Sequence, residues 1–175
     1  MKKTVILLAL ISNTAMFANI TVTNVNSSYY ALFNATYSLD LDNDAIADYE
    51  LHAFEVGAYN RIEINMLSAN SEIVSLTAAT INVVQAMNFG DNFGVAWVSF
   101  KTHLYHHLEF TPLSNAGNKY VALRLFKSSN YYYGWVQLSV GADGQWVNIV
   151  NYAFEDTPQQ VGKDVEIDWL NCWQY

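Results

Sequence analysis

The chain has 175 residues, a formal net charge of −8 and hydrophobic residues at 52% of positions, enough for one domain with a substantial core. Sixteen acids against eight bases exclude nucleic acid and anionic lipid as main partners, since both demand clustered Lys and Arg. The single cysteine, Cys172, excludes an internal disulfide, so the core itself must supply the stability.

In chain order, the first predicted element is a leader. Lys2 and Lys3 form a positive start, "VILLALI" a short apolar run and "SNTAMFA" a cleavage stretch ending at Ala18, the pattern of a secretory signal peptide. Met16 stands where a small residue is usual. Ser12-Asn13-Thr14 interrupts the apolar run short of the about 20 residues that a membrane span needs. The expected layout is therefore a signal peptide over 1–18 and one exported, soluble domain over 19–175, with no membrane span after the leader is removed. No cysteine stands directly after the leader, so no lipid anchor is expected. Asn26-Ser27-Ser28 and Asn34-Ala35-Thr36 match the glycosylation sequon, which matters only in a eukaryotic secretory route.

Beyond the leader the dominant signal has a period of two. "YYALFNATYSL" (29–39), "RIEINML" (61–67), "TINVV" (80–84) and "GVAWVSF" (94–100) are short runs rich in β-branched and aromatic residues. "KYVALRLF" (119–126), "YYYGWVQLSV" (131–140) and "QWVNIVNYAFE" (145–155) continue the series, with "NAGN", "KSSN" and "GADG" as turn signals between the later ones. No helical stripe is sustained. The pattern predicts an all-β domain, an antiparallel two-sheet sandwich of jelly-roll-like form. In "YYYGWVQLSV", Gly134, Val136, Leu138 and Val140 fall on one face, and Tyr133, Trp135, Gln137 and Ser139 on the other.

Between the first two runs lies "DLDNDAIADYE" (40–50). Oxygen ligands at alternating positions of a tight loop are how EF-hand-type loops wrap calcium. With Asp40 as position 1, Asp42 falls at 3, Asp44 at 5, the Ile46 carbonyl at 7 and Asp48 at 9. Ala45 occupies the place where such loops use glycine, and holding it left-handed costs about 1–2 kcal/mol. Leu51 stands where a bidentate Glu would close the shell. The expectation is a weak structural Ca²⁺ site, of the class with dissociation constants of about 10⁻⁴–10⁻³ M. The other reading is a polar hairpin loop whose Asp and Asn cap backbone amides.

Further along, "THLYHHLEF" offers His103, His107 and Glu109 for zinc if alternation holds, with His106 pointing away. Exposed histidines flanking a strand are the plainer reading. Tyr131, Tyr133, Trp135, Trp146 and Tyr152 crowd the later strands, and as an exposed platform they would stack on sugar rings, making a carbohydrate-binding module; as core or rim packing they would have no such role. Catalytic motifs are missing: there is no G-x-S-x-G, P-loop or H-E-x-x-H. Glu50, Glu55, Glu63 and Glu109 are the carboxylates from which a glycoside-hydrolysing pair could be drawn. Cys172, flanked by Trp169 and Trp173, reads as a packed thiol; the other reading is a thiol that pairs between chains.

Two blocks taken together resemble a broad family of secreted bacterial β-sandwich proteins of largely unassigned role. The first, Asp40, Asp42, Asp44, Asp48 and Tyr49, is similar to that family's DxDxDGxxDF loop. The second, Tyr133-Gly134-Trp135-Val136 followed by Tyr152-Ala153-Phe154-Glu155, is similar to its late YGWV strand and YAYE segment. Ala45, Tyr49 and Phe154 depart from the pattern. Many such relatives carry a C-terminal sorting tail, which "DWLNCWQY" does not resemble, so the resemblance implies export and fold rather than surface attachment. The combined expectation is an exported, non-catalytic binding or envelope-associated protein, with a glycan or an envelope protein as partner.

Overall fold

The computed structural model describes residues 19–77, 82–88, 91, 96–99, 102–106, 112–157 and 159–160. Residues 1–18, where a leader is expected, and Trp169, Cys172 and Trp173 lie outside the described residues. Within them the protein is all-β. The strands are β1 (Ile20–Tyr30), β2 (Ala35–Leu39), β3 (Tyr49–Val56), β4 (Tyr59–Met66), β5 (Glu72–Thr77) and β6 (Asn82–Val84), then β7 (Ala96–Val98), β8 (Thr102–His106), β9 (Lys119–Lys127), β10 (Asn130–Val140), β11 (Trp146–Glu155) and β12 (Gln159–Gln160).

The first run does not form one strand. A 3₁₀ turn, Ala31–Phe33, separates β1 from β2, and Asn34 ends it at φ 48°, a left-handed conformation that Asn tolerates better than most residues. Alternation across 29–39 is blind to that break, because a single turn leaves the pattern on both sides intact.

Hydrogen bonds join the strands in the order β1-β11-β10-β9-β5-β6-β8-β4-β3-β2, with β12 added beside β10 and β7 beside β5. Pairing is antiparallel except between β6 and β8. The expected division into two facing sheets is therefore not what the pairing shows; one continuous sheet curls until it nearly closes into a barrel. The reason lies in β5. It pairs with β9 through Glu72–Arg124 and Ile73–Leu123, and with β6 through Ser75–Val84, so it bridges what would otherwise be two halves. Period two reports which side chains share a face, not where the ladder of backbone bonds stops.

At the seam, where β1 meets β2, side chains do the closing. Tyr29 and Tyr37 pack with ring centroids 5.3 Å apart. Burial, with Tyr152 and Tyr29 beside it, pushes the Tyr37 phenol up to about 12. Tyr152, expected as one of five sugar-stacking rings, is instead buried against this interior.

The inward face carries Leu39, Leu51, Ile62, Ile64, Leu104, Leu123, Val136, Leu138, Val147 and Ile149, all buried. The alternation read from "YYYGWVQLSV" holds: Val136, Leu138 and Val140 point into this core while Tyr133 and Trp135 form a separate cluster with Ala153. Gly134 sits on the inward side, where a Cβ would lie 2.4 Å from the Ala153 carbonyl oxygen and 3.0 Å from the Leu41 side chain. Leu41, 2% exposed, fills that space. Gly134→Ala is therefore expected to destabilise the fold by about 1–3 kcal/mol through overpacking, read as a lower urea midpoint at unchanged slope.

Candidate metal centre

Leu41 also places the aspartates. It is the one core side chain in the loop between β2 and β3, so its burial draws Asp40 and Asp42, on either side, against the end of the barrel. The loop's other end is fixed by Asp48. Its N–H donates to the Leu39 carbonyl (2.9 Å), and its own carbonyl accepts from the Leu67 and Ser68 N–H groups (2.7 and 3.2 Å). The Asp48 carboxylate is buried and accepts from the Leu41 N–H (2.8 Å) and the Ser68 hydroxyl (2.8 Å). The next residue, Tyr49, is fully buried and its hydroxyl donates across the interior to the Arg124 carbonyl on β9 (2.8 Å).

Inside the loop the acids wrap backbone amides. Asp40 accepts from the N–H groups of Asp44 (3.1 Å) and Ala45 (2.7 Å), and Asp44 accepts from that of Ile46 (2.9 Å). The curl requires left-handed residues at Asn43 (φ 61°) and Ala45 (φ 70°). Ala45 thus adopts the conformation that glycine takes in loops of this kind, against the Cβ penalty.

One carboxylate oxygen each from Asp40, Asp42 and Asp48 lie within 4.8 Å of one another. Oxygens bound to a common calcium at about 2.3–2.6 Å are separated by no more than about 5 Å, so the spacing fits. Asp44 is placed differently: its carboxylate turns to the Lys127 ammonium (2.8 Å). Ile46, expected to contribute its carbonyl, donates its N–H to Asp44 and turns its side chain to solvent. Lys127 also bonds Asp42 Oδ2 (2.5 Å). The Asp42 side chain is only 7% exposed, and its Oδ1 is buried with no hydrogen-bond partner.

These contacts set the ionisation of the group. Burial raises the Asp48 carboxyl above the ordinary aspartate value; the bonds from Ser68 and Leu41 oppose that, and the Asp42 and Asp40 charges add to it. The bond from Lys127 lowers Asp44. Bonds to Asp42 and Asp44 raise the Lys127 ammonium. Lys127 was invisible to sequence reasoning as a member of the site, since no local signal links the end of β9 to a loop more than eighty residues earlier.

The other candidates fall elsewhere. Tyr133 and Trp135 are buried on the outward face under Trp97, Tyr120 and Tyr131. The Arg124 guanidinium lies 4.5 Å from the Trp97 ring centroid and 4.2 Å from that of Tyr131 and pairs with Glu72. Trp146 lies against Gly141 in the β10–β11 turn. The five rings therefore occupy two faces and a turn, without a common platform. On β8 a bulge opposite Ile62 and Glu63 leaves Leu104 as the extra residue. It brings the His103 and His106 rings together at 4.9 Å, with His103 Nδ1 3.4 Å from Glu63 Oε1; simple alternation had sent His106 the other way. His107 and Glu109 lie outside the described residues. Glu50 and Glu55 stand toward opposite ends of β3, and Glu63 on β4 faces His103.

Comparison with protein-family models, with curated proteins and with solved structures finds no significant match.

Two outcomes follow from the loop. Ala45→Gly removes the left-handed penalty at some cost in chain entropy, a net gain of about 0.5–1 kcal/mol, measured by urea unfolding. With chelator present, ionising Asp48 costs more in the folded protein than in the unfolded chain, so stability falls as pH climbs from the ordinary aspartate value through the raised one. Asp48→Asn should flatten that part of the stability–pH profile.

Proposed function

We propose that this is an exported, non-catalytic binding or envelope-associated protein whose aspartate corner takes a calcium ion that fixes the loop between β2 and β3. The observation that carries the reading is the convergence of Asp40, Asp42 and Asp48 within 4.8 Å, with a buried Asp42 Oδ1 that has no partner. A hard cation supplies what that oxygen lacks, and an all-oxygen donor set favours calcium over softer metals. The two motif blocks of the resemblance meet in space, Leu41 of the loop lying against Gly134 of the YGWV strand, so a fixed loop would bear directly on that strand. Export rests on the leader pattern of the first eighteen residues.

The site is weak for two reasons. Three carboxylates are fewer than the six to eight oxygens that calcium takes, so backbone oxygens and water must complete the shell. Lys127 also competes, because the cation and the ammonium both draw on Asp42.

Thermal unfolding tests this directly. At about ten times its dissociation constant calcium stabilises by about 1.4 kcal/mol, a rise of about 3–6 °C in melting temperature for a domain of this size. Asp42→Asn should abolish the rise, while Asp44→Asn should leave most of it. Lys127→Met should lower stability in chelator, because it leaves the largely buried Asp42 carboxylate without its ammonium, and enlarge the calcium shift. Identical melting curves in excess calcium and in chelator would reject the site.

A further inference from the structure

At the end of the barrel opposite the aspartates, the chain builds a second and different site. The strand ends there are Tyr30 of β1, Val56 and Tyr59 of β3 and β4, and Val140 and Trp146 of β10 and β11. A cavity of about 410 Å³ opens among them, lined by Tyr30, Leu32, Phe33, Glu55, Ala58, Asn60 and Gln145. Its volume falls in the range of small-molecule sites, about 300–1,000 Å³, and barrel mouths are a preferred place for them.

The polar groups follow from register. Ala53 pairs with Ile62 in the core, and the next rung on the same side pairs Glu55 with Asn60. Gln145 lies two residues before the buried Val147. One carboxylate and two amides therefore ring the mouth directly above apolar core. The 3₁₀ turn raises two large apolar side chains beside them: Leu32 is 70% exposed and Phe33 73%. Phe33 meets Tyr30 edge-on at 6.2 Å between centroids.

This rim is held in place. The Ala31 N–H donates to the Gln145 carbonyl (2.9 Å), and the Asn34 N–H closes the turn onto Ala31 (2.9 Å). Asn60 Nδ2 donates to the Asp143 carbonyl (3.0 Å), tying the β3–β4 hairpin to the β10–β11 turn. Leu32 and Phe33 are thus displayed on fixed backbone, at a cost in exposed apolar surface that occupancy would recover.

We propose that this mouth binds a neutral saccharide, a mono- or disaccharide unit. Aromatic rings offer a flat apolar surface to the C–H face of a pyranose, and planar carboxylate and amide groups match its hydroxyls as acceptors and donors. No Lys or Arg is among the described lining residues, so phosphate, sulfate and carboxylate ligands lack a partner. Glu55 is the one carboxylate among the described lining residues, an acceptor for sugar hydroxyls. The site differs in place and in residues from the buried aromatics of β10 and β11.

Amide NMR titration tests it, using maltose, cellobiose, lactose, N,N′-diacetylchitobiose and, as a cationic control, choline. At least one disaccharide should give saturable shifts confined to Leu32, Phe33, Glu55, Asn60 and Gln145, equally in calcium and in chelator. Phe33→Ala, an exposed position whose loss spares the core, should weaken binding about tenfold or more. No response to any of the four sugars, a response to choline alone, or unchanged affinity in Phe33→Ala would overturn the proposal, whatever the outcome at the aspartates.

Discussion

The acidic end of this protein depends on the burial of Leu41. A single apolar side chain in an otherwise polar loop enters the barrel and rests against Gly134. Desolvating a leucine is worth about 1.5–3 kcal/mol, comparable to what is spent on a left-handed Ala45 and on crowding like charges. Without that anchor, Asp40 and Asp42 would swing into solvent, where carboxylates separate easily. With it, they are held beside Asp48, whose own position is set by backbone bonds to β2 and to the β4–β5 connection. Gly134 is the complement: any side chain there would occupy the space that Leu41 needs.

Electrostatics then acts on a geometry already fixed by packing. Asp48 is buried and given hydrogen bonds from Leu41 and Ser68, yet its carboxyl remains harder to ionise than usual because burial outweighs those bonds. Lys127 settles the outer half of the cluster by bridging Asp42 and Asp44. The corner is divided between an internal cation on one side and a buried oxygen without a partner on the other. Any divalent ion drawn to that oxygen would have to share Asp42 with the ammonium.

The two ends of the barrel differ in chemistry for reasons of register. Near the aspartates the loop between β2 and β3 is a long polar excursion whose amides are satisfied by carboxylates. At the other mouth, the turns after β1, β3 and β10 are short and tied together by hydrogen bonds, and Glu55, Asn60 and Gln145 line it. Between them, the wall near β9 and β10 is covered outside by Trp97, Tyr120 and Tyr131, which pack over the buried Tyr133 and Trp135. The Arg124 guanidinium, stacked between Trp97 and Tyr131 and paired with Glu72, belongs to that cover.

The sequence by itself determined that the fold is all-β, which residues of β10 face inward, and that the acids of 40–48 lie in one loop with a strained Ala45. All of these are local consequences of side-chain alternation and backbone preference, written in neighbouring residues. Only the tertiary structure decided that β5 joins the strands into one nearly closed sheet, and that Asp44 turns to Lys127 while Asp40, Asp42 and Asp48 converge. It alone decided that a bulge at Leu104 puts His103 and His106 on one face, and that a 3₁₀ turn lifts Leu32 and Phe33 over a polar mouth. Those features depend on pairing between residues far apart in the chain and on single-residue breaks in the pleat. A pattern of period two carries information on neither.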